Sequence, residues 1–218
     1  VKKKSNLASN MAFFTSNQAS FSYEENLLKG VNIYGITSEF KAVQSFNIGN
    51  GRYFSDADFL RGAPIGVIGY KIAEELFGKP EKALGKTISY GGRRVMVIGI
   101  IEKQGSAIIS GFDYDKAVLT TYNYFASVFN PDNSSPYIMV QAKKGVPSKL
   151  LQEELTGVMP EGDWVPVLFQ LSYQIAGVTT LVRREDLIFV DWSVEDALRF
   201  MLTAGVSQTT GQVATDKP

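Results

Sequence analysis

The chain has 218 residues and a formal net charge of zero, with Lys+Arg and Asp+Glu both at 22, so it lacks the electrostatic footprint of a nucleic-acid binder. Hydrophobic residues make up 44% and charged residues 20%, enough for a packed core in one large domain or two small ones, and too apolar for wholesale disorder. Cysteine and histidine are both absent, which excludes disulfides, thiolate or histidine zinc sites, a cysteine nucleophile and a Ser-His-Asp triad.

Lys2-Lys3-Lys4, the only basic run, reads as a solvated terminus. Residues 5–29 are polar and aromatic without a clear period, which predicts short strands and turns. Val31 to Thr37 and Val43 to Ile48 read as strands on either side of a polar link, Ser38 to Lys41. Gly51-Arg52-Tyr53-Phe54-Ser55 leads into a loop with the acidic pair Asp56 and Asp58, and a short apolar strand, Ile65 to Gly69, follows. Tyr70 to Phe77 reads as a short helix, because Ile72, Ala73, Leu76 and Phe77 share one face and Lys71, Glu74 and Glu75 the other. Gly78 suits the left-handed closing position, and Pro80 prevents continuation. Lys86 to Tyr90 and Arg93 to Ile101 flank Gly91-Gly92, a two-residue hairpin signal. The second of these strands is apolar on both faces from Val95 onward, so it belongs between covering layers.

Gly105 to Lys116 reads as a loop and Asn130 to Pro136 as the strongest loop of the chain. Tyr137 to Ala142 is a predicted strand, and Ser148 to Val158 an amphipathic helix with Pro147 at its start and Leu150, Leu151, Leu155 and Val158 on one side. After Met159 the character changes. Trp164 to Phe169, Val178 to Val182 and Leu187 to Val190 read as strands, Ser193 to Asp196 as a helix cap, and Gly205 as the end of a final helix before a polar tail, 207–218. Strands and short helices alternate without a βαβ rhythm, so the fold class is α+β with mixed sheets and short covering helices. No stretch approaches the ~20 apolar residues of a membrane helix. With no starting Met and no secretory signal, the chain is expected to be an excised segment.

Few residues point to chemistry. Gly85-Lys86-Thr87 looks like the end of a phosphate loop, but Pro80 stands where that loop needs a glycine, and a strand follows instead of a helix. Asp56/Asp58 and Asp113/Asp115 lack the further acidic residues and central glycine of a calcium loop, and read as solvated carboxylates. Arg52 reads either as a plain exposed arginine or as a guanidinium stacked on Tyr53 or paired with a nearby carboxylate to fix the turn. Paired carboxylates could serve a hydrolase, yet no Asp/Glu pair sits in a recognisable catalytic context.

The order Gly51-Arg52-Tyr53-Phe54, Asp58, Gly69, Phe77-Gly78, Gly85 and Gly99 resembles the extracytoplasmic core domain of MacB-type ABC transporter permeases. That family includes the macrolide exporter and the lipoprotein-release permeases. The resemblance covers residues 1–158 and extends through Ala117 to Thr121, Tyr137 to Ala142 and the Ser148 helix. It implies a porter-like subdomain with a smaller β-rich insert, Arg52 at their junction, no catalysis and no cofactor or metal. It also implies a place on the extracytoplasmic (periplasmic) face of the inner membrane. The implied partners are an ABC ATPase subunit or domain reached through membrane helices, a periplasmic partner protein, lipoprotein or small-molecule cargo, and a second copy in a homodimeric transporter. From Trp164 through Arg183-Arg184-Glu185-Asp186 to Gly205 the chain is similar instead to the carboxy-terminal end of a bacterial membrane-protein family, domain of unknown function 502. Residues 159–206 therefore either complete the first domain or follow it. The alternative function from that tail is a membrane-associated interaction or assembly module.

Overall fold

The longest element is β1 (Ala8–Tyr23), whose 16 residues span about 50 Å at the usual rise of a strand. It turns at Glu24, which has φ 51°, into β2 (Asn26–Ile36). Where the sequence predicted short strands and turns there is one long antiparallel hairpin. No single alternation runs through β1, because the buried face changes along it: Ala12 and Phe14 enter one core, Phe21 a different one. Backbone pairing on both edges holds it. β2 lies on one edge; β8 (Ser135–Ala142) and, at Ser22, β5 (Thr87–Tyr90) lie on the other.

The structure, a computed structural model, describes residues 5–44, 46–104, 113–129, 134–158, 164–170 and 177–183. The remaining elements are α1 (Phe40–Val43), β3 (Ile48–Gly51), α2 (Asp56–Arg61), β4 (Ile65–Ile68), α3 (Tyr70–Phe77), β6 (Arg93–Ile101), β7 (Ala117–Thr121), α4 (Tyr122–Val128), α5 (Ser148–Val158), β9 (Trp164–Gln170) and β10 (Gly177–Arg183), with short 3₁₀ turns at Pro80–Ala83 and Tyr114–Lys116. Among the described residues the strands form one sheet in the order β2-β7-β4-β6-β5-β1-β8-β10-β9, with β3 also on β6. β2–β7 and β4–β6 are parallel and the other pairs antiparallel. Because β1 also pairs with β2, the ladder from β2 through β5 returns to its starting strand. This is the mixed-sheet α+β architecture that the sequence predicts.

Helix α3 and the β5–β6 hairpin stand where the sequence places them. Gly91 and Gly92 both have positive φ, 51° and 76°, the geometry that matches a tight hairpin to strand twist. Ile72, Ala73 and Leu76 of α3 pack on Val95, Val97 and Ile100 of β6 in one core, which α4 also covers through Tyr124 and Phe125. A second core on the other face holds Phe14, Ile36, Phe54, Val67, Tyr114 and Leu119. A third, smaller one joins Leu151 and Leu155 of α5 to Val140 of β8.

Three corrections follow. The strand predicted over Val43 to Ile48 begins only at Ile48, as β3: Val43 closes α1, and Phe40 and Val43, buried with Phe46 in the second core, have the spacing of a helical turn, not of a pleat. The stretch after Phe54 is not a loop but α2, and α4 has no counterpart in the predicted elements. Asp115 is not solvated: it is 1% exposed, and its Oδ1 accepts from the Gln104 N–H at 3.0 Å.

The chain divides by its contacts into Val1–Glu185 and Asp186–Pro218. Lys2 to Lys4, most of the predicted loop at 105–116, the predicted strand Leu187 to Val190, the final helix with Gly205 and the polar tail lie outside the described residues. β9 and β10 pair as a hairpin, and β10 joins β8 at Thr179↔Val140 through Leu181↔Ile138.

Candidate functional site

Of the residues singled out, Gly51, Arg52, Tyr53, Phe54, Asp58 and Gly99 meet where the chain leaving β3, which pairs antiparallel with β6, crosses close to Gly99. Gly51 has φ 77°, and a Cβ there would lie 2.4 Å from Ile98 O; a Cβ on Gly99 would lie 2.3 Å from Arg52 O. Side chains at either position would hold the two backbones apart. Without them, the Arg52 N–H donates to Ile98 O at 2.9 Å.

From this crossing the Arg52 side chain reaches Asp58. Its Nη1 donates to Asp58 Oδ2 at 2.7 Å and to Tyr53 O at 3.0 Å. The same carboxylate oxygen accepts from the Ser55 N–H and the Ser55 hydroxyl, both at 2.8 Å, while Ser55 Oγ accepts from the Asp58 N–H at 3.3 Å. Ser55 and Asp58 thus form a capping box on α2, the reciprocal arrangement that satisfies the free donors of a helix start. The Arg52 guanidinium, helped by the Ser55 donors and opposed by partial burial, lowers the Asp58 carboxyl to about 2. Of the two alternatives for Arg52, carboxylate pairing is the one present. The cation over the Tyr53 ring is Lys41, 5.0 Å from its centroid. Asp56 is exposed in the first turn of α2, a favourable place for a negative charge.

Tyr53 and Phe54 close the crossing from the core side. Phe54 is buried, and the two rings pack on each other and on Phe59, with Phe46 against Tyr53. Burial raises the Tyr53 pKa, and its hydroxyl has no hydrogen-bond partner among the described residues. Deeper in this core the Tyr114 hydroxyl donates to Gln44 Oε1 at 2.8 Å, and Gln44 Nε2 donates to Met139 Sδ at 3.0 Å.

The other singled-out residues lie elsewhere. Gly69 precedes α3 against the Tyr114 and Asp115 carbonyls. Phe77 and Gly78 end α3 at the β1–β2 turn, where the Phe77 ring meets Tyr23 at 4.3 Å and Asn26 Nδ2 donates to Leu76 O at 2.9 Å. Gly85 donates its N–H to Val97 O at 2.8 Å. Ser55 and Asn123 were missed. Ser55 had a readable signal, a serine three residues before an acid ahead of Gly62, which closes α2 in the left-handed conformation. Asn123, whose Nδ2 donates to Phe59 O at 2.8 Å and ties α2 to α4, had none.

Arg52, Ser55 and Asp58 are engaged with one another and with nearby backbone, and Asn123 with the Phe59 carbonyl. Among the described residues no three Asp, Glu, His or Cys side chains gather as a metal-binding group. Asp113 pairs with Lys116 at 3.8 Å while Asp115 turns to Gln104, so that acidic pair does not converge. Among the described residues no helix is long and apolar enough to cross a membrane.

Comparison with known proteins gives the family described as MacB-like periplasmic core domain, matched over residues 3–158. An uncharacterized ABC transporter permease, YknZ of Bacillus subtilis, is 40% identical over 81 residues, 37% of this chain and 20% of that one. The pyoverdine export ATP-binding/permease protein PvdT of Pseudomonas savastanoi is 26% identical over 125 residues, 57% of this chain and 19% of that one. The chain thus spans about a fifth of the length of these curated relatives. Among solved structures, the extracellular domain of the noncanonic ABC-type transporter YknZ from Gram-positive bacteria superimposes with TM-score 0.59 and 25% identity, covering 70% of this chain and 75% of that one.

Proposed function

The chain belongs to the MacB-like periplasmic core domain family, and on that premise we propose that it is a non-catalytic extracytoplasmic domain of an ABC transporter permease. It couples ATP hydrolysis on the cytoplasmic side to partner proteins or cargo outside the inner membrane. The observation that carries this reading is the extent of the family match, which runs from the lead-in of β1 to the end of α5. The non-catalytic part is supported by the Gly51–Gly99 site, whose only strongly perturbed carboxylate, Asp58, is occupied by Arg52 and the Ser55 cap.

Its partners in this reading are an ABC ATPase, reached through membrane helices outside this sequence, a periplasmic protein or cargo, and a second copy of the permease. The division into a porter-like subdomain and a β-rich insert fits the way β1 serves different cores at its two ends: Met11 packs with Leu151 and Leu155, Phe21 with Leu76 and Tyr90. The pairing of β10 with β8 supports the segment up to Arg183 as a continuation of the first domain's sheet.

Because this chain has no cysteine, a single Lys29→Cys at an exposed position beyond the β1–β2 turn, read against the unsubstituted full-length permease, is a topological probe of this domain. A membrane-impermeant maleimide should label it in intact cells or spheroplasts carrying the full-length permease; labelling that requires lysis refutes the location. Calorimetry of the domain with ATP, zinc and calcium should be flat, and a saturable micromolar signal for any of them overturns the non-catalytic reading.

A further inference from the structure

Glu154 lies about one turn beyond the buried Leu151 on α5. Its carboxylate gathers three donors from the far end of the sequence. The Ser5 hydroxyl donates to Oε2, the Asn6 N–H to Oε1 at 2.9 Å, and the Leu7 N–H to Oε2 at 3.3 Å. Ser5 Oγ in turn accepts from the Ala8 N–H at 3.0 Å. From beyond β8, Lys143 donates its Nζ to Asn6 O at 2.7 Å and its own N–H to Leu7 O at 2.9 Å. Leu7 and Ala8 pack on the small core beneath α5.

The next residues differ. The β1–β8 register shifts between Ala8 and Asn10, and the Ser9 hydroxyl spans the irregularity with donations to Gln141 O and Ala142 O, each at 3.1 Å. Beyond it the ladder is regular, and from Phe14 to Ser16 β1 is paired on both edges, to β2 and to β8. A strand held on both sides opens only at the cost of two ladders, whereas residues 5–8 have one edge alone, with the Ala8↔Ala142 pair and the apolar seats of Leu7 and Ala8 beside the Glu154 and Lys143 contacts.

We propose that residues 5–8 form a strap, fastened to α5 by Glu154 and hinged at Ser9, which releases as a unit while the rest of β1 stays in the sheet. The fastening is cooperative because one side chain serves three donors: losing it frees the Ser5 hydroxyl and the Asn6 and Leu7 amides together. In the transporter reading, and resting on it, the strap makes α5 the first element to receive movement arriving along the lead-in of β1. The strap itself stands without that reading.

The test is amide hydrogen exchange on the whole chain, comparing wild type with Glu154→Gln, which keeps the shape of the side chain and removes its charge. In the wild type the Asn6 and Leu7 amides should be protected. In the variant they should exchange faster by about tenfold or more, while the Met11 to Thr15 amides keep their wild-type rates. Ser5→Ala, which removes one donor from the strap side and leaves α5 intact, should give the same local pattern with smaller size. Three results would overturn the strap: wild-type Asn6 and Leu7 exchanging at free-peptide rates, acceleration spreading evenly to Thr15, or no change in either variant. A confirmed strap in a protein whose Lys29→Cys probe labels only after lysis would retain the device and reject the transporter reading.

Discussion

Replacing Gly99 by alanine would drive a methyl group into the backbone that crosses it. The added Cβ would lie 2.3 Å from Arg52 O, 3.2 Å from Arg52 C and 3.4 Å from Val67 Cγ2. Non-bonded heavy atoms settle near 3.5 Å, so the crossing chains would have to separate by roughly 1 Å, and the obstructing atoms are backbone, which cannot rotate aside as a side chain can. The Arg52 N–H to Ile98 O bond, now 2.9 Å, would lengthen beyond bonding range, at a loss of about 1 kcal/mol. Overpacking adds about 1–3 kcal/mol, so Gly99→Ala should cost about 2–4 kcal/mol. Gly85→Ala is the internal control. Gly85 has φ 73° with nothing within 4 Å of an added Cβ, so only the left-handed conformation is penalised, by about 1–2 kcal/mol. Urea unfolding at 25 °C, followed by circular dichroism and extrapolated linearly, gives both values on one scale. Gly99→Ala should lose clearly more than Gly85→Ala. Equal losses would show that the crossing is not held by close backbone approach.

Val97 is fully buried between α3 and the sheet, and Val97→Asp should cost roughly 3 kcal/mol or more by placing an unpaired charge there; an unchanged thermal midpoint would refute the packing of α3 on β6. Asp58 titrates at about 2 when folded against an ordinary 3.8. Its stabilising contribution is therefore complete above about pH 4 and disappears as the pH falls toward 2. Because the Arg52 side chain is 55% exposed, the contribution is about 1 kcal/mol after solvent screening. Asp58→Asn should remove this part of the acid sensitivity, and a stability–pH curve still parallel to the wild type between pH 4 and 2 would count against it. Ending the chain at residue 158 would strip β10 from β8 and expose the Ile138 to Val140 edge, so the fragment should self-associate; a monodisperse fragment with an unshifted midpoint would contradict this.

Legibility in the sequence followed burial geometry. α3 and the β5–β6 hairpin were readable because each buries one consistent face or turns on two glycines. β1 was not, because its buried face changes along its length: Ala12 and Phe14 serve one core and Phe21 another. A period-2 template has no phase that fits both ends. α1 was misread because its first buried residue, Phe40, falls within the polar link, which leaves Val43, Phe46 and Ile48 as a short apolar run with no helical repeat to see. α2 carries no buried residue at all, so hydrophobic periodicity could not announce it; its signal lay in the cap.

The glycines of the site show a second limit. In sequence Gly51, Gly78, Gly85 and Gly99 look alike, as punctuation between elements. In space Gly78 and Gly85 are turns with open surroundings, whereas Gly51 and Gly99 are places where a Cβ would enter another residue's backbone. Only the second kind fixes a crossing between distant parts of the chain, and the Arg52–Asp58 pair is built on that crossing. The recognisable block is thus a scaffold whose polar groups face one another. Side chains spent in this way are poor candidates for recognising cargo, because exchanging them would dismantle the crossing that presents the surrounding surface. In a family whose function lies in transport, variation between relatives is then expected outside Gly51, Arg52, Ser55, Asp58 and Gly99, on loops and edges that can change without moving the crossing.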